Sequence, residues 1–372
     1  MSVLGTTLIH RFEQHFPLCL GEEGDPNGLH IGTLHRPIQR VLVTLDVRPN
    51  VVQEAIEQQV DLIIAKHPPL FRPASRLTDD DPQTHMYNEL IRHNITVYAA
   101  HTNMDIVEDG LNDWFCEALG VHDTKFLSLT HHFPFYLLRT TVPTNDASRV
   151  RQAIAKAGAG KLGHYQSCSF STNGTGRFEP LSGAKPAIGK INQLESVAEV
   201  EITAIASSWK KDTITKALLE AHPYETPSYQ WIKLDNVADD YGIGRIGTLD
   251  QPMGLEDFTR LVKKTFEMDH VRLIAKEVDR KVQKVAICGG SGQKFYTDAI
   301  KAGADVYITG DVYYHTGHDM LESGMPVIDA GHYIEHYCKE KVKELLEKWK
   351  QECGWDVEIM VSQENTNPFR VY

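Results

Sequence analysis

Short apolar strands alternate with helical segments in two separate parts of the chain, and this alternation restricts the fold more than any other feature. Residues 40–120 read as strand, helix, strand, helix, strand and helix, beginning with RVLVTLDV at 40–47. Residues 284–350 repeat that order, beginning with the strand KVAIC. Short connections between such elements are typical of a parallel sheet with crossover helices. We therefore predict the α/β fold class.

The two parts also resemble each other in pattern. QQVDLIIAKHPPL (58–70) and KAGADVYITGDVY (301–313) both run from a helix end through an acidic residue and an apolar strand to a polar residue. ITVYAAHTNMD (95–105) and MPVIDAGHYIE (325–335) match in the same way. We predict a two-lobed, pseudo-duplicated α/β core, with its first half in residues 1–130 and its second half in residues 240–372.

Residues 134–236 are predicted to have a different order of elements: strand, helix, hairpin, strand, helix, strand. This order is that of ferredoxin-like α+β domains. The hairpin is placed within YQSCSFSTNGTGRFEP (165–180), because glycines there are typical of a tight turn. Since the segment lies between the two halves of another fold, we predict an inserted ferredoxin-like domain, with YGIGRIGTLDQP (241–252) returning to the core.

Composition limits the possible classes of protein. The formal net charge of -12 disfavours nucleic acid as a partner, because phosphate contacts need a basic surface. We expect no membrane span, since apolar runs stay well short of roughly 18 residues, and no secretory signal. The six cysteines are scattered without a CxxC motif, which indicates reduced thiols and a cytoplasmic protein.

Several candidate metal ligands follow predicted strands. In open α/β sheets, sites form beyond the carboxyl ends of the strands, and the residues at those ends are Asp46, His67, His101, Asp311 and His332. Asp105 and Glu335 follow two of these histidines at separations of four and three, which place side chains on one face of a helical turn. Imidazole and carboxylate together suit zinc, iron or manganese, and a paired-metal site activates water.

Simpler interpretations compete with a metal site. A single histidine at a strand end is more often a hydrogen-bonded loop residue than a ligand, but three histidines with matching topology favour a site. CGGSGQK (288–294) lacks the spacing of a phosphate-binding loop and is interpreted as a tight turn at the pocket's rim. HPYETPSY (222–229) is interpreted as a rigid connection, with ligand binding as the alternative.

A set of motifs carries a family resemblance: AKHPPLF, AAHTNMD, GRIG, GGSG, TGDVYYH and DAGHYIE. Together they resemble the Nif-three-like family, whose members are named GTP cyclohydrolase 1 type 2 homologs. The resemblance spans nearly the whole chain. It includes the middle segment with HPYETP, which is similar to the longer bacterial members.

The resemblance implies a metal site and an assembly. It implies two divalent ions per chain at the lobe interface, zinc by preference and iron or manganese as alternatives. It also implies a homohexameric ring, a trimer of dimers, capped by inserts that resemble trimeric PII and CutA domains. The ligands carried over are His67, His101, Asp105, His332 and Glu335, with Glu335 as the bridging carboxylate. Asp46 and Asp311 are placed behind the ligands or in the pocket wall.

Lys66 departs from the family pattern. Many members carry two consecutive histidines where this chain has Lys66 and His67. Lysine is a poor ligand at neutral pH because its ammonium must first lose a proton. We expect one metal to have fewer protein ligands, weaker binding or more open positions. Alternatively, Lys66 offers its ammonium to an anionic substrate such as a phosphate.

Three functions are compatible with these residues. The first is a metal-dependent hydrolase acting on a phosphoester or cyclic amidine, an unidentified small molecule. The second is a non-enzymatic, metal-binding or regulatory ring whose inserted domain senses a ligand or docks a partner. The third, a ring enclosing nucleic acid, is disfavoured by the net charge of -12. The family's name does not establish GTP cyclohydrolase activity, and we assign no catalytic residue from the sequence.

Overall fold

The computed structural model describes residues 2–371, which form two compact units. The core unit combines the residues up to Thr130 with those from Tyr241 onward, and the middle unit spans His131–Asp240. None of the helices within residues 2–371 offers an apolar stretch of the length that a bilayer span requires.

Helices and strands alternate along the described residues. The strands are β1 (Val3–Leu4), β2 (Gly28–Ile31), β3 (Pro37–Ile38), β4 (Arg40–Thr44), β5 (Leu62–Ala65), β6 (Thr96–Ala99), β7 (Val121–Pro143), β8 (Phe170–Phe178), β9 (Glu195–Ser207), β10 (Tyr229–Gly254), β11 (Arg272–Ile274), β12 (Lys281–Ile287), β13 (Val306–Thr309), β14 (Val327–Asp329) and β15 (Glu358–Val361). The α-helices are α1 (Gly5–His15), α2 (Pro49–Glu57), α3 (Pro82–Arg92), α4 (Thr102–Ile106), α5 (Leu111–Leu119), α6 (Ala147–Lys156), α7 (Lys211–Ala221), α8 (Leu255–Thr265), α9 (Tyr296–Lys301), α10 (Tyr314–Ser323) and α11 (Cys338–Cys353). Short 3-10 helices lie at Leu18–Leu20, Ser208–Lys210, Gln293–Phe295 and His332–Tyr337.

One sheet of the core unit has the strand order β15-β4-β5-β6-β2. Strands β4, β5 and β6 are parallel, and β2 runs antiparallel beside β6. Every residue of β5 is buried, as expected for a parallel strand covered on both faces. The register pairs Thr44 with Ala65 and Ala65 with Ala99, so the three strands end in line. The residues that follow these ends therefore share one edge of the sheet.

The second half of the core unit repeats this arrangement. Strands β12, β13 and β14 are parallel, and β11 runs antiparallel beside β14. Each half thus contains three parallel strands with an antiparallel neighbour next to the third. The α/β class and the pseudo-duplicated core predicted from the sequence are confirmed by this pairing.

The middle unit is built from β7, α6, β8, β9, α7 and β10, with β7 and β10 also contributing residues to the core unit. Strand β9 pairs antiparallel with both β7 and β8. The hydrophobic core of the middle unit includes Val150 and Ile154 of α6 and Ile214 and Leu218 of α7.

The hairpin predicted within residues 165–180 is wrong. Residues Phe170–Phe178 form the single strand β8, and the antiparallel partner of that strand is β9. The glycines do not mark a turn. At Gly176 a Cβ atom would lie 2.4 Å from the Glu199 carboxylate carbon, so this glycine allows a close approach across the strands.

Arg245, from the GRIG motif, joins several segments of the core unit. Its side chain is 3% exposed and donates to Asp113 through Nε at 2.6 Å and through Nη2 at 2.8 Å. It also donates to the carbonyl oxygens of Val107 at 2.7 Å and Gly244 at 2.9 Å. The guanidinium lies 4.4 Å from the centre of the Phe126 ring. The motif is therefore a structural cross-link within the core unit.

Candidate metal centre

His67 lies at the edge where β5 ends. Its backbone N–H donates to the carbonyl of Leu45 at 2.8 Å, one residue beyond the bond from the Lys66 N–H to the carbonyl of Thr44. Pro68 has no N–H and cannot extend the ladder further. The imidazole Nδ1 hydrogen-bonds to Asp46 Oδ1 at 2.8 Å. The break after the histidine therefore holds this side chain at the open edge of the sheet.

His332 has the equivalent place in the second half of the core unit. It follows β14 after Gly331, whose positive φ of 74° turns the chain out of the sheet. Its Nδ1 hydrogen-bonds to Asp311 Oδ2 at 2.6 Å. His101, after β6, makes the same type of bond to Asp25 Oδ1 at 2.6 Å. A carboxylate on Nδ1 fixes the tautomer and leaves Nε2 available for a metal.

Asp25 was not predicted as a site residue from the sequence. It lies in the loop segment DPNG, which is typical of a turn and gives no sign of a histidine partner. Asn27 of the same segment accepts a hydrogen bond from the His101 N–H at 2.7 Å. The loop therefore holds His101 through both its side chain and its backbone.

Three of the predicted ligands converge. His67 Nε2 lies 2.8 Å from Glu335 Oε2 and 3.3 Å from His332 Nε2. The ligand atoms of these three residues all lie within 4.8 Å of one another. Two imidazole nitrogens and a carboxylate form a donor set that suits zinc, iron or manganese. The residues present therefore fit a divalent metal ion.

His101 and Asp105 lie beside this cluster. The ring centre of His101 is 5.7 Å from that of His67. Asp105 Oδ2 accepts a hydrogen bond from Lys66 Nζ at 3.1 Å. Neither residue belongs to the group of His67, His332 and Glu335 whose ligand atoms converge. Their role as metal ligands stays a prediction.

Lys66 points inward. Its side chain is 1% exposed, and Nζ lies 3.8 Å from Glu335 Oε2 in addition to its bond with Asp105. Lys66 is not among the residues lining the cavity beside His67. The alternative in which Lys66 presents its ammonium to a substrate is therefore not supported by this geometry.

The glycine loop after β12 makes room for Glu335. Gly290 has a positive φ of 58°, and a Cβ atom there would lie 2.7 Å from Glu335 Oε1. Its carbonyl accepts a hydrogen bond from the N–H of Gly310 at 2.9 Å. The GGSG segment thus permits close packing around a candidate ligand.

We expect Gly290→Ala to weaken zinc binding by about 10- to 100-fold, the range typical when the support of a metal ligand is disturbed. The new Cβ must displace the Glu335 carboxylate, since the two would be 2.7 Å apart. Gly354→Ala is the matched control, because Gly354 has a φ of 66° and a Cβ there would have no atom of the described residues within 4 Å. Equal zinc affinities of the two variants in a chelator competition assay would contradict this role of Gly290.

A cavity of about 1230 Å³ adjoins the cluster within the core unit. His67, His101 and His332 line it together with three arginines, Arg48, Arg272 and Arg370. Phe71, Tyr333 and Phe369 add aromatic surface. The cavity therefore offers candidate metal ligands, positive charge and aromatic side chains to one ligand.

Charge interactions within the cluster shift the pKa values of His67 and Glu335. Burial alone would lower the pKa of His67, but hydrogen bonds with Asp46 and Glu335 outweigh it and raise that pKa to about 9. Burial would raise the pKa of Glu335, but the Lys66 ammonium and His67 hold it well below its usual range. Without a metal, His67 is therefore protonated at neutral pH and paired with a carboxylate.

We expect zinc affinity to rise by about tenfold or more per pH unit between about pH 6 and pH 8. A protonated imidazole cannot bind a metal, so binding releases the His67 proton until the pH passes the pKa of about 9. Competition with a chelator across this pH range measures the slope. His132→Ala is the control and should keep the wild-type pH profile. His132 also pairs with a carboxylate, Asp240 at 2.7 Å, but both residues belong to the middle unit. A flat profile for the wild type would exclude His67 as a ligand.

The fold and the site together define a pseudo-duplicated α/β protein with a candidate metal centre at aligned strand ends. The chain belongs to the Duf34/NIF3 (NGG1p interacting factor 3) family, whose model matches residues 3–368. The family membership predicted from the motifs is thereby confirmed.

Named relatives and solved structures agree with this assignment. The chain is 43% identical over 365 residues to a GTP cyclohydrolase 1 type 2 homolog of Halalkalibacterium halodurans, covering 98% of each chain. It is 42% identical over 368 residues to the Bacillus subtilis protein of the same name, covering 99% of this chain and 98% of that protein. A Bacillus cereus protein related to NIF3 is 38% identical, with a TM-score of 0.89 and full coverage of both chains.

Proposed function

We propose that the protein is a divalent-metal-dependent hydrolase that acts on a phosphoester. The observation that carries this proposal is the convergence of His67, His332 and Glu335 beside a large cavity that Arg48 and Arg370 also line. Arginine guanidinium groups bind phosphate oxygens in a bidentate manner. The site thus combines metal ligands with groups suited to an anionic ester.

A bound divalent ion supplies an activated water and stabilises a developing oxyanion. Zinc is the preferred ion for this donor set, with iron and manganese as alternatives, and the family resemblance implies two ions. The chain's own residues orient the site. Asp46 and Asp311 hold the two imidazoles with Nε2 toward Glu335, and the arginines orient the anionic group of the substrate.

A phosphoester agrees with the cavity better than an uncharged cyclic amidine does. The arginines favour a negatively charged substrate, and the aromatic side chains of Phe71 and Phe369 favour an organic group with an apolar face. An uncharged cyclic amidine gains no comparable support from this lining.

A panel of aryl phosphate monoesters and diesters tests the proposal. We expect metal-dependent turnover of at least one class by the zinc- or manganese-loaded protein. The double variant Arg48→Ala and Arg370→Ala should raise KM more than it lowers kcat, because the arginines bind substrate outside the metal ligands. Full metal loading without turnover of any ester would overturn the hydrolase proposal.

A second candidate function is supported by one observation in the middle unit. A cavity of about 610 Å³ is lined there by Arg177, Glu199 and Tyr224, and Tyr224 comes from the HPYETPSY segment. The Tyr224 hydroxyl donates to Glu199 at 2.9 Å. This cavity favours a regulatory protein whose middle unit, which we propose to be a ferredoxin-like inserted domain, senses a small ligand. Ligand-induced thermal stabilisation of the wild type that Tyr224→Ala loses would support it, and equal stabilisation of both would not.

We also propose a cytoplasmic homohexamer, a trimer of dimers. The assembly rests on the family resemblance, and the compartment rests on the six free cysteines of the described residues. Native mass spectrometry tests the assembly, and a predominant monomer at micromolar concentration would contradict it.

A further inference from the structure

Lys66 places a fixed positive charge directly beside the metal cluster. Its backbone N–H donates to the carbonyl of Thr44 at 3.1 Å, which anchors the residue to the sheet. Its side chain is 1% exposed, and Nζ lies 3.1 Å from Asp105 Oδ2 and 3.8 Å from Glu335 Oε2. The ammonium is therefore buried between two carboxylates that belong to different halves of the core unit.

Both carboxylates are buried as well. Asp105 is 7% exposed and Glu335 is 2% exposed. Buried carboxylates need a partner of opposite charge, because water does not solvate them there. Within residues 2–371, Asp105 Oδ1 has no hydrogen-bond partner, and the Lys66 ammonium on Oδ2 is the charge that compensates this carboxylate. Removal of the ammonium would leave a strongly anionic pocket.

The position of this ammonium matters for the number of metal ions. A second ion would need Asp105 in addition to a shared oxygen of Glu335, according to the ligand set that the resemblance implies. Nζ already lies against both carboxylates. A divalent ion bound to the same oxygens would lie within a few ångströms of a like charge in a buried environment, where screening is weak. The residues present therefore fit one ion well and a second ion poorly.

We propose that the Lys66 ammonium acts as a built-in cation in place of a second metal ion. The chain then holds one divalent ion at His67, His332 and Glu335, and the lysine compensates Asp105. This inference rests on the metal centre of the proposed function and is independent of its hydrolase chemistry. It makes Lys66 the residue that sets the metal stoichiometry of the chain.

The number of ions bound per chain tests the inference. The full-length protein, prepared metal-free and without a histidine tag, is dialysed to equilibrium against zinc and then subjected to elemental analysis. We expect one zinc per wild-type chain. We expect two per chain for Lys66→His, which supplies an imidazole, and a gain of bound zinc for Lys66→Met, which leaves Asp105 without its partner.

Lys341→Met is the matched control. Lys341 also pairs with a carboxylate, Glu117 at 3.2 Å, but that partner is 69% exposed and lies outside the metal cluster. This variant should bind the same amount of zinc as the wild type. Circular dichroism establishes that each variant is folded before its zinc is counted.

Two zinc ions per wild-type chain would overturn the inference, and so would unchanged stoichiometry in folded Lys66 variants. The wild-type count decides the matter by itself if a Lys66 variant fails to fold. One zinc per chain without phosphoester turnover would leave the inference standing and reject the hydrolase. No bound zinc would reject both.

Discussion

Glu335→Gln is expected to remove bound metal and any phosphoester hydrolysis together while the protein stays folded. Glu335 is the negatively charged candidate ligand of the cluster, 2.8 Å from His67 Nε2. An amide oxygen carries no formal charge and is a much weaker ligand. Substitution of a residue that hydrogen-bonds to a metal ligand reduces metal affinity by about 10- to 100-fold. Substitution of the ligand itself should therefore reduce zinc affinity by more than about 100-fold. Chelator competition measures this affinity.

The fold should tolerate this change. The Lys66 ammonium keeps its bond to Asp105 at 3.1 Å, so it does not become unpaired when Glu335 is neutral. Glu340→Gln, on the exposed face of α11, is the matched control and should retain wild-type zinc affinity. Wild-type zinc affinity in Glu335→Gln would show that the cluster is not the metal centre.

Arg245→Met is expected to destabilise the protein by about 3–5 kcal/mol, the cost typical of removing one partner of a buried ion pair. The substitution leaves Asp113 without its two guanidinium bonds of 2.6 and 2.8 Å. It also leaves the carbonyl oxygens of Val107 and Gly244 without their donor. Urea unfolding followed by tryptophan fluorescence measures the loss.

Arg260→Met separates this effect from the loss of any arginine. Arg260 makes ion pairs with Glu256 and Asp257 on α8, but its side chain is 67% exposed. Exposed pairs contribute about 0–1 kcal/mol, so this variant should unfold close to the wild type. Similar unfolding midpoints for the two variants would show that Arg245 is not a cross-link of the core unit.

The sequence predicted the parts of the site that depend on strand ends. The apolar run of β5 and the proline after His67 indicate a buried strand that stops at a histidine. Because parallel strands end at one edge, His67 and His101 could be placed together without any structure. The same reasoning located His332, and helical spacing added Glu335. Pattern matching between the halves was sufficient to predict the pseudo-duplicated core.

Other features depend on contacts that have no local signal. Asp25 hydrogen-bonds to His101, which lies 76 residues further along the chain, and the sequence around Asp25 indicates only a turn. Lys66 points inward toward two carboxylates that lie 39 and 269 residues further along the chain. It donates a hydrogen bond to Asp105 and forms an ion pair with Glu335. The glycines of β8 had the composition of a turn, but they serve close packing between strands. Tertiary contacts decide each of these features.

The most direct test of the metal centre is anomalous X-ray diffraction from crystals grown with zinc, measured on both sides of the zinc absorption edge. The structure predicts a strong anomalous peak between the Nε2 atoms of His67 and His332 and the carboxylate of Glu335, with no comparable peak at Asp105. A zinc-saturated crystal without a peak at these three residues would contradict the account.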